Sequence, residues 1–341
     1  MSETVGAILE YGTLALVVIY ANYVEKRPGR RLFLYIMLIF LSLFYLYAEA
    51  FIPGNIADLP QGALSGVRLV TFLTAGLAIA LLFPGVRRAI SGAFPKRTVD
   101  FENGLPVGFD PDSPVHMTAA IYCVHLLSHT ALTFIRYGGL SGAAQDFGGV
   151  STSELWTELA IWLMFAALGV GLLSRRSLAE TFKRLGLRAP TMSELALAGS
   201  MAFALYAVAF ASDVIWQSFV PQDVYQQQNV FSQAISQSIS TLTLAFLLAL
   251  TAAIGEEIAF RGALQPVFGL WPTSILFAAI HLQYVLTPAS LLILVVGLGL
   301  GWLRKRYNTT TSIVAHFLYD FVPPALGILS QVTGVLLRAV R

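Results

Sequence analysis

Three ionisable side chains inside an apolar stretch are the residues of this 341-residue chain best placed to do chemistry. They are Glu256, Glu257 and Arg261, in the run TAAIGEEIAFRG. An ionisable group at membrane depth costs about 2.5 kcal/mol or more, so such groups persist where they pair with one another or take part in a reaction. On a helix, Glu257 would face Arg261 four residues later, in the favourable orientation for an ion pair, while Glu256 would point about 100° away. One carboxylate is then neutralised, and the other stays free to act as a base.

Two later apolar segments add histidines to these groups. His281 lies in FAAIHLQY, and His316 lies in IVAHFLYD, with Asp320 one helical turn after it on the same face. The set can provide a glutamate base, a histidine that helps to hold the attacking water, and a second pair that binds the oxyanion. The same side chains can equally bind a metal ion, and spacing alone does not decide between the two. A polar clamp between helices is the alternative without catalysis, and the two histidines argue against it.

Membrane-spanning helices are the elements that must position these residues. The chain is 56% hydrophobic and 12% charged, with a mean hydropathy of +0.71, whereas soluble domains average about 25% charged residues. The sequence therefore predicts an all-α, polytopic integral membrane protein, with the lipid bilayer as a partner and no nucleic-acid partner. A spanning helix needs about 20 predominantly apolar residues. About ten transmembrane helices are predicted, near residues 5–24, 32–53, 66–86, 115–137, 154–174, 194–219, 240–261, 271–287, 288–303 and 310–333.

Most of the basic residues form four clusters that all fall on one side of a chain with ten spans. Arg338 and Arg341 fall on the other side, unless the C-terminal helix lies in the membrane interface instead of crossing. By the positive-inside rule the side of the four clusters is cytoplasmic, and the N-terminus lies outside. The segments near Asp58, Asp146 and Asp223 fall on the other side. We expect a multi-pass protein of a prokaryotic cell membrane, with its active site within the bilayer toward the cytoplasmic side. The clusters are Lys26, Arg27, Arg30 and Arg31; Arg87, Arg88, Lys96 and Arg97; Arg175, Arg176, Lys183, Arg184 and Arg188; and Arg304, Lys305 and Arg306.

Three regions are predicted along the chain. Residues 1–174 form an N-terminal transmembrane region, and residues 175–192 form a basic, amphipathic linker on the cytoplasmic leaflet. Residues 193–335 contain the ionisable residues and five of the spans. The glutamine-rich stretch Gln222–Gln233 is predicted to be an external loop. Cys123 is the only cysteine, which excludes an intrachain disulfide and a metal site built from several cysteines.

The motifs that contain the ionisable residues resemble, in order and type, the three motifs of the CPBP family. That family comprises the CAAX-prenyl endopeptidases of the Rce1 type and the abortive-infection (Abi) or bacteriocin-immunity proteins. The resemblance covers residues 190–330 and implies that the C-terminal half is a CPBP-type helical protease core. The motifs are GluGlu-x-x-x-Arg at Glu256, Glu257 and Arg261, Phe-x-x-x-His from Phe277 to His281, and His-x-x-x-Asp from His316 to Asp320.

The resemblance implies an intramembrane endopeptidase of the glutamic type. Its implied substrates are membrane-associated proteins or peptides with prenylated CAAX-type C-termini, and other C-terminal tails or leader peptides are equally compatible. No cofactor is implied, although a zinc-dependent version of the protease stays an alternative, as does a non-proteolytic scaffold or immunity protein with the same fold. The implied roles are activation of water by Glu256 with His281, stabilisation of the oxyanion by His316 and Asp320, and support of the site by Glu257 and Arg261.

Asp320 departs from the commoner family residue, which is asparagine. An amide donates a hydrogen bond at any pH, whereas an aspartate donates one only when it is protonated. Asp320 therefore either donates to the oxyanion as a neutral acid or orients His316 as a carboxylate, leaving the oxyanion to the imidazolium.

Three further features give weaker signals. His125 and His129 are four residues apart and could bind a metal, but no third ligand is evident nearby, so a contact between helices is favoured. Gly297 and Gly301 form a small-x-x-x-small face, which predicts close helix packing rather than a phosphate loop. Asp213, in AFASDVIW, is favoured as a helix contact over a group in a substrate channel.

Overall fold

The computed structural model describes residues 3–99 and 106–339, and nearly all of their regular structure is helical. Helices satisfy their backbone hydrogen bonds internally, as a lipid environment requires. Among the described residues one short pair of antiparallel strands is the exception, with β1 (Thr98–Val99) paired to β2 (Pro106–Val107). A π-helix, Glu257–Leu264, lies between α12 and α13. The α-helices are α1 (Glu3–Val24), α2 (Arg31–Phe51), α3 (Pro53–Ile56), α4 (Ala63–Ala80), α5 (Pro84–Ile90), α6 (Pro114–Arg136), α7 (Leu140–Asp146), α8 (Thr152–Val170), α9 (Leu178–Leu185), α10 (Met192–Phe219), α11 (Gln222–Ser238), α12 (Leu242–Glu256), α13 (Gln265–Phe268), α14 (Leu270–Ala279), α15 (Ala289–Arg306) and α16 (Thr309–Ala339).

Long apolar helices confirm the predicted class of all-α polytopic membrane protein. Within the described ranges, seven helical segments are long and apolar enough to cross a bilayer. Each of the ten predicted spans contains a helix, but α1 and α14 have shorter apolar stretches, Leu9–Val24 and Leu270–Ala279. The eighteen residues of α15 include three basic residues in its last turn. The seven segments are Pro28–Phe51, Ala63–Ala80, Pro114–Arg136, Thr152–Val170, Met192–Phe219, Leu242–Phe268 and Thr309–Gln331.

Large apolar side chains cover much of the outer surface of these helices. Leu32 of α2 is 70% exposed and Phe203 of α10 is 75% exposed, and neighbouring turns expose further leucine and phenylalanine residues. Apolar patches this extensive are rare on soluble monomers. The surface is therefore the lipid-facing surface of a multi-pass membrane protein.

Three larger cores hold the helices together. The first joins α1, α2, α4 and α6, and the second joins α8, α9, the π-helix, α14 and α15. The third joins α10, α15 and α16. α8 lies within the predicted N-terminal region but packs against the helix that carries the glutamates. The boundaries of the three predicted regions stay predictions. Central residues are Val17, Leu34, Leu38, Met117 and Ile121 in the first core, and Ala166, Leu185, Phe260, Phe277 and Ile293 in the second.

The linker between α8 and α10 contains the short helix α9. Ser177 caps its N-terminus in a capping box with Glu180, and Gly186 ends it with a left-handed φ of 72°. Hydrogen bonds from the Ser177 amide and hydroxyl hold the pKa of the Glu180 carboxyl below its ordinary value. Leu178 and Phe182 are exposed on one side of α9, as an amphipathic helix requires. Its position on the cytoplasmic leaflet stays a prediction.

Two segments differ from the structure that the sequence predicts. The glutamine-rich stretch predicted as a loop forms the helix α11, because glutamine is a good helix former and the acidic Asp223 favours the first turn of a helix. The predicted span 271–287 is interrupted: α14 ends at Ala279, and a non-helical segment with one 3-10 turn, Leu282–Tyr284, follows. Pro288 lies at the end of this segment, where α15 begins.

Candidate active site

The two adjacent glutamates lie where an α-helix changes into a π-helix. α12 ends at Glu256, and the π-helix begins at Glu257. π-helical turns are rare in proteins overall, and those that occur are frequently found at functional sites. The side chains of Glu257 and Arg261 are 0% and 1% exposed, whereas Glu256 keeps 17% of its side-chain surface exposed. The two carboxylates therefore differ in their exposure to solvent as well as in the direction in which their side chains point.

Glu257 is held by three neighbouring side chains. Arg261 Nη1 lies 3.2 Å from Glu257 Oε1, and His316 Nδ1 lies 3.0 Å from the same oxygen. Ser312 Oγ donates a hydrogen bond of 2.5 Å to Glu257 Oε2. A buried carboxylate needs such partners to offset the loss of hydration. Both of its oxygens are thus occupied, and the ion pair that the spacing predicts is present.

Arg261 is fixed in turn by groups on α14 and α15. Its Nη2 donates to the Gly297 carbonyl oxygen at 3.3 Å, and its guanidinium lies 4.1 Å from the centre of the Phe277 ring. A Cβ atom at Gly297 would lie 3.3 Å from Ser274 Cβ, so the glycine permits the close helix contact that its spacing predicts. The guanidinium is therefore a rigid anchor for Glu257.

Glu256 faces His281 across a short gap. Glu256 Oε2 is buried, accepts no hydrogen bond from the described residues, and lies 3.9 Å from His281 Nε2. His281 Nδ1 lies 2.6 Å from the Phe277 carbonyl oxygen, which can only accept, so a neutral ring carries its hydrogen on Nδ1 and presents a lone pair from Nε2. Two facing acceptors need a shared donor, and a water oxygen about 2.8 Å from both would satisfy them. This pair can hold and deprotonate a water molecule.

His316 lies between two carboxylates. Its Nδ1 faces Glu257, and its Nε2 lies 3.2 Å from Asp320 Oδ2. A neutral imidazole has one N–H, so a ring that donates to both carboxylates must be an imidazolium. Asp320 lies one helical turn after His316 on α16, as predicted, and keeps 28% of its side-chain surface exposed. The imidazolium of His316 can supply a positive charge and a hydrogen-bond donor to the carbonyl oxygen of a bound peptide.

Some residues of the site had weak signals in the sequence. Ser312 lies four residues before His316 and so shares its helix face, which was an available clue. Trp162 of α8 had no such signal in the sequence. In the structure, its Cδ1 lies 3.1 Å from the position that a Cβ atom on Gly255 would occupy, and the centre of its ring lies 5.5 Å from that of the Phe260 ring. The N-terminal region thus supplies one wall of the site.

The contacts found for the remaining candidates involve other residues. His125 Nδ1 lies 2.9 Å from the Ile121 carbonyl oxygen, and no three His, Cys, Asp or Glu side chains in the described ranges are grouped as metal ligands. Asp213 accepts hydrogen bonds from Tyr225 Oη at 2.6 Å and Gln217 Nε2 at 2.9 Å, which makes it a contact between α10 and α11.

Comparison with known proteins identifies one matching family model. Residues 238–322 match the model described as type II CAAX prenyl endopeptidase Rce1-like, a segment that contains all six residues predicted for the site. The chain is also similar to the uncharacterized protein YpbD of Bacillus subtilis (strain 168), with 28% identity over 174 residues, which cover 49% of this chain and 84% of that protein. No solved structure matches the chain.

Proposed function

We propose that this chain, whose residues 238–322 match an Rce1-like family model, is an intramembrane endopeptidase of the glutamic type. The match to this family model supports a membrane-embedded peptidase of the CAAX-protease type. One geometric observation supports the glutamic mechanism: the Glu256 carboxylate has no hydrogen-bond donor among the described residues and lies 3.9 Å from His281 Nε2. Its neighbour Glu257 is neutralised by Arg261 and cannot compete for that role.

In the proposed reaction, Glu256 takes a proton from water while the water oxygen bonds to the carbon of the scissile peptide. The carbonyl electron pair moves to the oxygen and gives a tetrahedral oxyanion. As the carbon–nitrogen bond breaks, Glu256 returns the proton to the departing amine, so that protons and charges balance. His281 positions the water through Nε2. The products are a new carboxyl terminus and a new amino terminus.

We assign the oxyanion to His316 and an orienting role to Asp320. His316 is held at Nδ1 by Glu257, and its Nε2–H points to Asp320. A substrate carbonyl oxygen would share or take over that hydrogen bond as negative charge develops on it. Asp320 then keeps the ring charged and correctly turned between turnovers.

The donor geometry supports a reaction without zinc. Catalytic zinc sites use three protein ligands and keep one position open. His316 faces carboxylates with both ring nitrogens, and both oxygens of Glu257 are occupied. Neither His316 nor Glu257 thus offers an uncommitted ligand atom to a metal ion.

The helix lengths support an active site inside the bilayer. From Leu242 to Glu256, α12 rises about 21 Å, roughly two thirds of the 30 Å hydrocarbon core. The site would then lie nearer to the end of the molecule that carries the basic clusters, which we take as the cytoplasmic end of a prokaryotic membrane protein. Substrates of the proposed enzyme are membrane-associated peptides, with prenylated CAAX-type C-termini as the first class to test.

The test compares Glu256→Gln with Glu154→Gln, the same change at an exposed position near the start of α8. Purified proteins in liposomes are incubated with prenylated and unprenylated peptides, and the termini formed are identified by mass spectrometry. We expect cleavage by the wild type and Glu154→Gln and none by Glu256→Gln. Membranes from cells with wild-type protein and with Glu256→Ala are compared in the same way to find natural substrates. Peptide termini that do not depend on Glu256 would favour the non-proteolytic scaffold.

A further inference from the structure

The π-helix ends at a residue that cannot continue its hydrogen bonds. The amide of Gln265 donates to the Phe260 carbonyl oxygen, five residues back. The next residue is Pro266, which has no amide hydrogen. Pro266 can donate a hydrogen bond neither to the carbonyl oxygen of Arg261, as a π-helix would require, nor to the carbonyl oxygen of Gly262, as an α-helix would require. These carbonyl groups lie in the protein interior, where an unpaired acceptor is costly.

Arg184 of α9 provides a donor from outside the helix. Its Nη1 donates to the Gly262 carbonyl oxygen at 3.1 Å, and the Arg184 side chain is buried. α9 and the π-helix can lie this close because Gly262 has no side chain. A Cβ atom at Gly262 would lie 3.0 Å from the Leu185 carbonyl oxygen. The end of α9 is therefore fitted to the π-helix one residue after Arg261.

The same end of α9 also binds the beginning of α16. Thr309 Oγ1 donates to the Leu185 carbonyl oxygen at 2.5 Å, and the Thr309 amide donates to the Gly186 carbonyl oxygen at 3.0 Å. Gly186 adopts a left-handed φ of 72°, which turns its carbonyl toward α16. Residues 184–186 thus connect the helix that carries the glutamates with the helix that carries His316.

We propose that Arg184 is a positioning residue for the active site, which it serves by holding the Gly262 carbonyl of the π-helix and so fixing Glu256 and Glu257 relative to His316. The inference rests on the proposed function. Arg184 contacts no reacting atom in it. Its loss would relax the wide turn, and a displacement of about 1 Å at a reacting group can cost about 100-fold in rate.

The test uses Arg184→Met, Arg184→Lys and the control Lys183→Met, an exposed cation on the same helix. We expect Arg184→Met to lower kcat about 10- to 100-fold with little change in KM, since the substrate-binding surface is not touched. Arg184→Lys keeps a donor and should recover most of the lost rate. Lys183→Met should match the wild type in both constants.

Folding is measured beside activity, by monodispersity and thermal unfolding in detergent. If Arg184→Met yields too little folded protein, Thr309→Val tests the same connection from α16, because it removes only the hydroxyl that binds Leu185. We expect a smaller loss of kcat, again without a change in KM. A wild-type kcat in folded Arg184→Met or Thr309→Val, or no recovery in Arg184→Lys, would overturn the inference. Glu256→Gln is assayed in parallel: if it still cleaves, the proposed function fails, whereas an inactive Glu256→Gln beside a fully active Arg184→Met refutes only the role of Arg184.

Discussion

Glu256 and Glu257 can lie side by side in an apolar interior because their side chains make different contacts. Arg261, Ser312 and His316 surround Glu257, and each contributes a charge or a donor. Glu256 receives none of these contacts and points toward His281. A single substitution should therefore have a different effect at each position, although the two side chains are chemically identical.

Glu257→Gln should lower both the folded yield and the activity. An amide cannot neutralise Arg261, and breaking a buried ion pair costs about 3–5 kcal/mol. Glu256→Gln should keep the wild-type yield, because it removes the base and preserves the shape. The measurements are detergent-solubilised yield, thermal unfolding and peptide cleavage for both variants. Equal yields combined with equal losses of activity would rule out separate roles.

Asp320→Asn should reduce turnover and narrow the pH range of activity on its alkaline side. The change removes one of the two negative charges that keep His316 in the imidazolium form, so that form is lost at a lower pH than in the wild type. The pH–rate profiles of the wild type, Asp320→Asn and Asp320→Ala provide the test. Asp320→Ala also loses the orienting acceptor and should be the slowest. An Asp320→Asn enzyme that stays active to higher pH would instead identify Asp320 as a neutral oxyanion donor.

The contacts that the sequence predicts correctly are those within one helix. Glu257 with Arg261, and His316 with Asp320, follow from a spacing of four residues and the helical repeat alone. The contact of Ser312 with Glu257 joins two helices that lie far apart in the sequence, so the helix face that Ser312 shares with His316 could suggest Ser312 as a site residue but could not reveal its partner. The catalytic roles themselves stay predictions.

At the scale of elements, hydrophobicity located the helices but not the places where they end. Residues 271–287 are apolar enough for one span, yet α14 stops after ten residues and His281 lies in the turn that follows. Leu286 in this segment has a φ of 58°, a conformation that leucine rarely adopts. Non-helical backbone at membrane depth must be covered by protein or line a polar cavity. α11 contacts this segment, and both α7 and α11 line a cavity of about 320 Å³ together with Thr287.

At the scale of the whole molecule, the loops meet in two groups at opposite ends of the helices. At one end the basic loops contact one another: Arg175 lies 3.9 Å from Glu25, and the Arg31 side chain donates to the Asp112 carbonyl oxygen at 3.1 Å. At the other end the Val150 amide donates to Ser238 Oγ. This grouping agrees with the alternation that the positive charges predict, while the assignment of the basic end to the cytoplasm stays a prediction.

Thiol labelling in intact spheroplasts should reveal that orientation. Replacing Cys123, the only cysteine, with alanine gives a background in which Asp146→Cys marks the acidic end and Lys183→Cys marks the basic end. Both positions are exposed, so both should react equally in detergent. A membrane-impermeant maleimide added outside should label Asp146→Cys at once and Lys183→Cys only after permeabilisation, because basic loops are retained in the cytoplasm during insertion. The reverse pattern would place the active site toward the outer leaflet and its peptide substrates on that side, without changing the chemistry of Glu256. Labelling of both positions from outside would contradict the crossing of the membrane by α8 itself, since this helix separates them in the chain.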